Sequence, residues 1–337
     1  MATSVTLEQL PDDVIVMVLQ YVPVEDVLDC RLVCKRLCGL ALHRDVWRHR
    51  SLEDDDEYAG AVLHLAPCLD TLKVTGRVPT LAVTTTRCAV ASLELIAGPD
   101  ESINVAEYAL AVRNQELLGR LRKLELNICL ESAADVLVRT VAMCSNLESL
   151  EIYEDFPDVT HPVVHGPPRP SLTNFRCVVD ENSASFVNTI LAVHAATLEH
   201  VNLGSGFDNE ETTPANLLAS MPRLCSLRCN KMVPGLNVVA DCKTLRDVSF
   251  YANWEPDNID VLSEFLRQAT QLRRVHLDCD GGDDFPPRGR PDADQGPDLV
   301  LAAPPGAAGP RRARGRAPVA PRAAHATRSA PPGPERC

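Results

Sequence analysis

Three cysteines stand four residues apart in the stretch CRLVCKRLC, residues 30–38, and thiols at short regular spacing can bind a metal, exchange electrons or pack. Four residues are about one helical turn, so Cys30, Cys34 and Cys38 are predicted to share one face of a helix. A tetrahedral zinc site normally uses two-residue spacers and ligands from a second segment, and the neighbouring sequence supplies neither. Because free cysteine behaves as a small apolar residue, the spacing favours packing.

Other motifs of catalytic chemistry are missing from the sequence. It contains no GxxxxGK(S/T), GxSxG, HExxH or paired CxxC pattern. His276 and Asp278 lie two residues apart on one face of a predicted strand, but no nucleophile stands at a readable spacing from them. We therefore expect a protein that is not an enzyme and that uses no cofactor or metal.

Composition narrows the class of protein further. The chain has 337 residues, a net charge of −13 and 13 cysteines, and its N-terminal sequence MATSVTLEQLPDD has no apolar secretory segment. Unpaired cysteines in such numbers predict a reducing compartment, the cytoplasm or the nucleus. No apolar run approaches the roughly 18 residues of a membrane span, so we expect no membrane association. The acidic charge disfavours nucleic-acid binding.

The elements that must position the three cysteines are short helices. Pro11 opens the first, with Asp12 and Asp13 in the first turn, where negative charge is favourable, and Pro23 ends it. Residues 24–29 predict a second helix and residues 32–42 a third. The first helix has an apolar stripe formed by Val14, Ile15, Val18 and Leu19. Helices this short are unstable alone and have more apolar faces than one small unit can cover, so another surface must cover them.

Residues 7–50 resemble an F-box almost position by position. The matching positions are Leu10-Pro11, Val18-Leu19, Pro23, Glu25 to Leu28, Arg31 to Arg36, and Trp47. One departure is Leu37, where the family often has an aromatic residue. The resemblance implies that this module docks on the Skp-type adaptor of a cullin-based SCF ubiquitin ligase, and it puts the three cysteines where F-boxes carry small apolar residues. The residues expected to bind the adaptor are Leu10, Pro11, Val14, Ile15, Val18, Leu19, Val27, Leu28, Leu32, Val33 and Cys34.

A hexamer with the pattern apolar-x-x-apolar-x-apolar then recurs nine times, at intervals of 21 to 31 residues. The copies are LDTLKV, VASLEL, LRKLEL, LESLEI, LTNFRC, LEHVNL, LCSLRC, LRDVSF and LRRVHL. Their alternation predicts short strands with the fourth and sixth residues inward and the third and fifth in solvent, and the segments between them have helical spacing. This period is close to that of leucine-rich repeats.

Residues 7–279 therefore resemble F-box leucine-rich-repeat proteins. The implied fold is α/β: a helical F-box at 7–50, an acidic linker at 51–66, and a curved solenoid of about nine strand-helix repeats at 67–279 with its strands on the concave side. Residues 280–337 hold 12 prolines and 12 alanines, so we expect a disordered tail. Two origins of this tail stay open: a genuine arginine-rich extension, or translation of GC-rich sequence in another frame or from a retained intron.

The fifth hexamer positions form a column across the predicted strands: Lys73, Glu94, Glu125, Glu151, Arg176, Asn202, Arg228, Ser249 and His276. Acidic residues in one half and arginines in the other predict either a groove that orients a charged partner or a face that is merely solvated. Tyr153, Tyr251 and Trp254 follow strands and are interface residue types, although Trp254 can equally cap the last repeats.

These patterns predict the substrate-recognition subunit of an SCF-type ligase. Its partners would be a Skp-type adaptor, a cullin scaffold and a protein substrate that the sequence does not identify. The expected substrate-binding residues are Glu94, Glu125, Glu151, Tyr153, Arg176, Arg228, Tyr251, Trp254 and His276. The alternative is a leucine-rich-repeat scaffold that takes part in assembly without ubiquitin transfer.

Overall fold

Helices precede the sheet along the chain. The computed structural model describes residues 7–75, 80–97, 105–128, 135–153, 169–178, 183–204, 214–229, 235–252 and 256–279. All of them belong to one compact unit. The predicted disordered tail, 280–337, lies outside the described residues.

The N-terminal module consists of a 3-10 helix, Leu7–Gln9, and four short α-helices. They are α1 (Asp12–Leu19), α2 (Val24–Val33), α3 (Lys35–Ala41) and α4 (Arg44–Trp47). Pro11 caps α1 from outside the helix, with φ −59° and ψ 149°, and does not form its first residue. The proline fixes an extended entry into the helix, and the acidic first turn follows as predicted.

The prediction that Cys30, Cys34 and Cys38 share one helical face is wrong. The second helix runs on to Val33, and Cys34 interrupts the helices with extended backbone, φ −157° and ψ 164°. The Cys34 sulfur accepts a hydrogen bond from the Leu37 amide at 3.4 Å, so it caps the start of α3. Cys30 therefore lies on α2 and Cys38 on α3, both half-buried, while Cys34 is exposed.

Trp47 and Arg50 tie the helical module together. The Trp47 side chain is fully buried, and its indole N–H donates to the Ala41 carbonyl at 2.7 Å. The Arg50 guanidinium donates to the carbonyls of Leu19 and Val22, both at 2.7 Å. Leu19 is the last residue of α1 and Val22 lies three residues beyond it, where helix carbonyls lack intrahelical partners, so Arg50 satisfies carbonyls at the end of that helix.

Within the described residues, ten parallel strands form one sheet, ordered in space as they are in sequence. The strands are β1 (Ser51–Glu53), β2 (Cys68–Val74), β3 (Ala89–Ala97), β4 (Lys123–Ile128), β5 (Ser149–Ile152), β6 (Asn174–Cys177), β7 (His200–Leu203), β8 (Ser226–Cys229), β9 (Asp247–Ala252) and β10 (Arg274–Cys279). The helices between them are α5 (Ala59–Leu65), α6 (Thr80–Thr85), α7 (Val105–Leu118), α8 (Asp135–Ala142), α9 (Ala184–Val193), α10 (Ala215–Ser220), α11 (Leu236–Val239) and α12 (Pro256–Gln268). The predicted α/β alternation of strands and helices is confirmed.

Residues 51–66, predicted as an acidic linker, instead contain β1 and α5. Leu52 is buried and lies in register with Leu72 of β2. The Asp54 amide continues the pairing by donating to the Lys73 carbonyl at 3.0 Å. A three-residue strand is too short to repeat the hexamer pattern, and its pairing with β2 raises the number of strands from nine to ten.

Side chains alternate across the sheet as predicted. Eight of the nine fourth hexamer positions are buried and stack from strand to strand: Leu72, Leu93, Leu124, Leu150, Phe175, Val201, Leu227 and Val248. The ninth, Val275, is half-buried and packs against this core. Cys144 and Cys242, which precede strands, are also buried, and burial raises the pKa of the Cys144 thiol to about 12. No helix of the described residues is long and apolar enough to cross a bilayer.

Candidate functional site: two protein-binding surfaces

The first surface is an apolar stripe on α1. Val14, Met17, Val18 and Tyr21 are 36%, 60%, 54% and 85% exposed. Their spacing of i, i+3, i+4 and i+7 places them on one side of α1 and its final turn. We call these four residues the α1 stripe. At the end of α2, Leu32 and Val33 are also exposed, by 75% and 70%.

The structure divides the predicted adaptor-binding residues into two groups. The exposed group is Pro11, Val14, Val18, Leu32, Val33 and Cys34. Ile15, Leu19 and Val27 are at most 4% exposed and belong to the core, so a surface contact predicted for them is wrong. Leu10 and Leu28 are half-buried and pack against that core. The spacing of apolar residues on a short helix does not by itself show which of two apolar sides faces the protein interior.

Met17 and Tyr21 were missed as members of the surface. The signal was present in their spacing, since each stands three residues after an apolar stripe residue, Val14 or Val18. They are among the most exposed large apolar side chains of the helical module.

The second surface is the outward face of the sheet. The nine predicted fifth positions are in continuous register, each paired with its neighbour from Lys73 on β2 to His276 on β10. Glu53 on β1 extends this fifth-position column by one strand. The predicted site residues Glu94, Glu125, Glu151, Arg176, Arg228 and His276 thus lie on one face. Tyr251 lies on β9 and pairs with Asp278 of β10, but its side chain and the whole of Trp254 lie outside the described part.

Lysines neutralise part of the acidic half of the column. Lys73 lies 3.4 Å from Glu53, and Lys123 lies 3.2 Å from Glu125 and 3.4 Å from Glu151. Lys123 occupies a third hexamer position, the second outward row, and was not singled out from the sequence. Burial would lower the pKa of Lys123, but its contacts with Glu125 and Glu151 outweigh burial and raise it.

Glu94 has a different environment. Its pKa is raised, first by partial burial and then by the neighbouring Glu125 carboxylate. Glu94 forms no ion pair with any residue that the structure describes. The fold therefore keeps this carboxylate in a position where ionisation is unfavourable.

The two halves of the column meet in a cluster of Glu151, Tyr153 and Arg176. The Tyr153 hydroxyl donates to Glu151 Oε2 at 2.7 Å, and the Arg176 guanidinium lies 4.0 Å from the Tyr153 ring centre. Burial alone would raise the pKa of Glu151, but the hydrogen bond from Tyr153 and the charge of Lys123 lower it. The same hydrogen bond raises the pKa of Tyr153. This cluster fixes the plane of the Arg176 guanidinium.

A cleft of about 260 Å³ opens beside this cluster, across β5 to β8. Its polar lining consists of Glu151, Asn174, Arg176, His200, Asn202, Ser226 and Arg228. Hydrogen-bond donors and two guanidinium groups dominate this lining, which suits an anionic side chain. In the part of the chain that the structure covers, no group of three or more His, Cys, Asp or Glu residues is placed to hold a metal ion.

In the comparison with known families, residues 7–53 match the family described as F-box-like. The match spans the four helices, the α1 stripe and β1. A comparison with curated proteins found no match to this chain. The chain therefore carries an F-box-like domain at residues 7–53, followed by a parallel sheet whose strands alternate with helices.

Proposed function

We propose that this protein is the substrate-recognition subunit of an SCF-type cullin ubiquitin ligase. The F-box-like domain would dock on a Skp-type adaptor, the cullin scaffold would join through that adaptor, and the outward face of the sheet would bind the target. The strand-helix units would then be leucine-rich repeats. The ligase supplies the chemistry, so the chain itself is neither an enzyme nor a cofactor carrier. Free thiols throughout the described residues support a cytoplasmic or nuclear location.

The observation that carries this proposal is the α1 stripe inside the F-box-like match. Burying one large apolar side chain is favourable by about 1.5 to 3 kcal/mol, so a partner that covers Met17, Val18 and Tyr21 gains several such terms. Contiguous exposed apolar surface on a small domain typically marks a protein interface. F-box domains generally bind Skp-type adaptors, which supplies a partner of the required kind.

The test is co-purification with a Skp-type adaptor. Val33, which is 70% exposed at the end of α2, is one of the predicted adaptor-binding residues, and Val33→Asp would bury a carboxylate without a partner in that contact. We expect adaptor affinity to fall about 100-fold or more, equivalent to about 2.8 kcal/mol. The matched control is Val136→Asp, the same substitution at an exposed valine of α8, which should retain adaptor. Circular dichroism should show that both variants keep the parent fold.

Recovery of adaptor by Val33→Asp at the parent level would contradict the proposed docking surface. Affinity purification followed by mass spectrometry separates the two candidate functions. Adaptor together with cullin supports the ligase subunit, whereas partners that need only the repeats support a scaffold without ubiquitin transfer.

A further inference from the structure

We infer that the outward face of the sheet recognises an extended peptide with a basic and an acidic side chain separated by four or six residues. Glu94 and Glu125 would bind the basic side chain, and Arg176 and Arg228 the acidic one. The inference deepens the proposed function, on which it rests, by naming the chemical class of the target segment.

The basic side chain of the peptide would neutralise a local excess of negative charge on the sheet. Glu94, Glu125 and Glu151 lie in register on adjacent strands, and among them only Lys123 supplies a contacting ammonium within the described residues. Lys123 sits on the Glu125–Glu151 side of this row. Lys73, in register with Glu94 on its other side, contacts Glu53 at 3.4 Å, so the Glu94–Glu125 side keeps a net negative charge. A lysine or arginine from a partner would pair with both carboxylates there and would stabilise the ionised form of Glu94, whose pKa is raised by partial burial and by Glu125.

The acidic side chain of the peptide would bind between two arginines that lie two strands apart. Arg176 on β6 and Arg228 on β8 flank Asn202 on β7, which is in register with both. All three line the cleft of about 260 Å³. The Arg176 guanidinium stacks on the Tyr153 ring through one face, so the stacking does not use the N–H groups at its edges. Carboxylates accept from guanidinium edges in a paired geometry, so one acidic side chain can sit between the two arginines.

Strand spacing sets the separation of the two side chains. From the midpoint of β3 and β4 to β7 there are three and a half strand intervals of about 4.8 Å each, or about 17 Å. An extended peptide that crosses the strands advances about 3.3 Å per residue, so about five residues cover this distance. Side chains five residues apart point to opposite sides of an extended chain. The even separations on either side, four and six, direct both charges toward the sheet.

A peptide array tests the inference with the full-length chain. Each nine-residue peptide contains one lysine and one glutamate, separated by two to seven residues in either order, in a background of serine, threonine and valine. We expect binding to peak at separations of four or six and to fall at least about fivefold at five. Glu94→Gln with Glu125→Gln should remove the need for lysine. Arg176→Gln with Arg228→Gln should remove the need for glutamate.

The matched control is Glu148→Gln with Arg223→Gln, which neutralises exposed charges outside the fifth-position column. It should keep the parent pattern. No peptide binding, binding without an even-odd difference, or an unchanged pattern in both double variants would overturn the inference. Adaptor binding is measured in parallel. Adaptor capture without peptide selectivity overturns only this inference, whereas peptide selectivity without adaptor capture supports it and counts against the ligase function.

Discussion

Glu94 and Glu151 occupy equivalent positions two strands apart, yet the fold treats their charges in opposite ways. Glu94 is partly buried beside another carboxylate, which raises its pKa. Glu151 is also partly buried, but Tyr153 and Lys123 stabilise its ionised form, and its pKa is lowered. The first carboxylate therefore costs stability when it ionises, and the second contributes stability.

This contrast predicts opposite effects of glutamine at the two positions. Above the ordinary value of 4.5, folded Glu94 holds its proton more tightly than the unfolded chain does, so ionisation destabilises the fold as pH rises. Glu94→Gln should therefore raise Tm at pH 7, and the gain should shrink as pH falls toward 4.5. Glu151→Gln should lower Tm at pH 7, because the contribution of ionised Glu151 is present above 4.5 and lost as pH falls through its lowered pKa. Thermal melts of both variants between pH 4.5 and pH 7 measure these changes in Tm. Changes in Tm of the same sign at pH 7 would contradict the prediction.

For single residues, the sequence predicts the face of the sheet on which a side chain lies better than it predicts the contacts of that side chain. Period-two alternation was enough to place Arg176 and Glu151 on one face. The stacking of Arg176 on Tyr153 and the bridging by Lys123 depend on strand register and side-chain rotamers, which no local pattern encodes. The burial of Ile15 and Leu19 was likewise unpredictable, because it depends on which side of α1 meets the other helices.

Among the elements, α7 is joined to β3 by a buried glutamine. The Gln115 side chain is fully buried, accepts from the Val90 amide at 3.0 Å and donates to the Cys88 carbonyl at 3.1 Å. It thereby satisfies two backbone groups at the start of β3. Helix and strand are held by specific hydrogen bonds here as well as by apolar packing.

Replacing this residue should destabilise the protein strongly. Gln115→Ala leaves a buried N–H and a buried C=O without partners, and each costs about 1 to 3 kcal/mol. We expect the free energy of unfolding to fall by about 3 kcal/mol in denaturant titration. Leu117→Ala, at a 78% exposed site of the same helix, is the control and should change it by less than about 0.5 kcal/mol. Similar values for the two variants would show that the hydrogen bonds of Gln115 contribute little.

The elements show where sequence patterns reach their limit. Nine hexamers predicted nine strands, and all nine exist. β1 was not predicted, because three residues are too few to show an alternating pattern. Its formation depends on pairing with the neighbouring edge of β2. The boundary between α2 and α3 was predicted at residues 30–31 but lies at Cys34, because both segments have helical spacing and only the extended backbone at Cys34 separates them.

At the scale of the whole molecule, cysteines are spread through both the helical module and the sheet. Ten of the cysteines that the structure describes are free thiols. Three of these lie in the helical module, and seven lie among the strands and the helices that connect them. Burial raises the pKa of Cys88 and Cys229 to about 12, so these thiols stay protonated and pack as apolar groups.

The cysteines therefore predict a metal-independent fold. Incubation with EDTA should leave Tm unchanged, and elemental analysis of the purified protein should find no stoichiometric zinc. One zinc ion per chain, together with a lower Tm after chelation, would contradict the packing interpretation of Cys30, Cys34 and Cys38.

The helical module and the sheet are also directly connected. The Arg120 guanidinium, just after α7, donates to the Arg48 carbonyl at 3.0 Å and to the Leu69 carbonyl at 2.7 Å. The Cys68 thiol donates to the Arg44 carbonyl at 3.6 Å. Arg44 begins α4 and Arg48 follows its last residue, so these contacts secure both ends of α4 to the region of β2. The predicted boundary at residue 50 falls inside a continuous packed region.

Because the strands follow one another in chain order, the sheet also acts as a ruler. Each strand-helix unit inserted or removed between β2 and β5 would move the arginine-lined cleft by one interval, about 4.8 Å, relative to the α1 stripe. In the proposed ligase, that distance would decide which lysines of a bound target come within reach of the ubiquitin carrier. The number of repeats would then set the position of modification, independently of the residues that select the target.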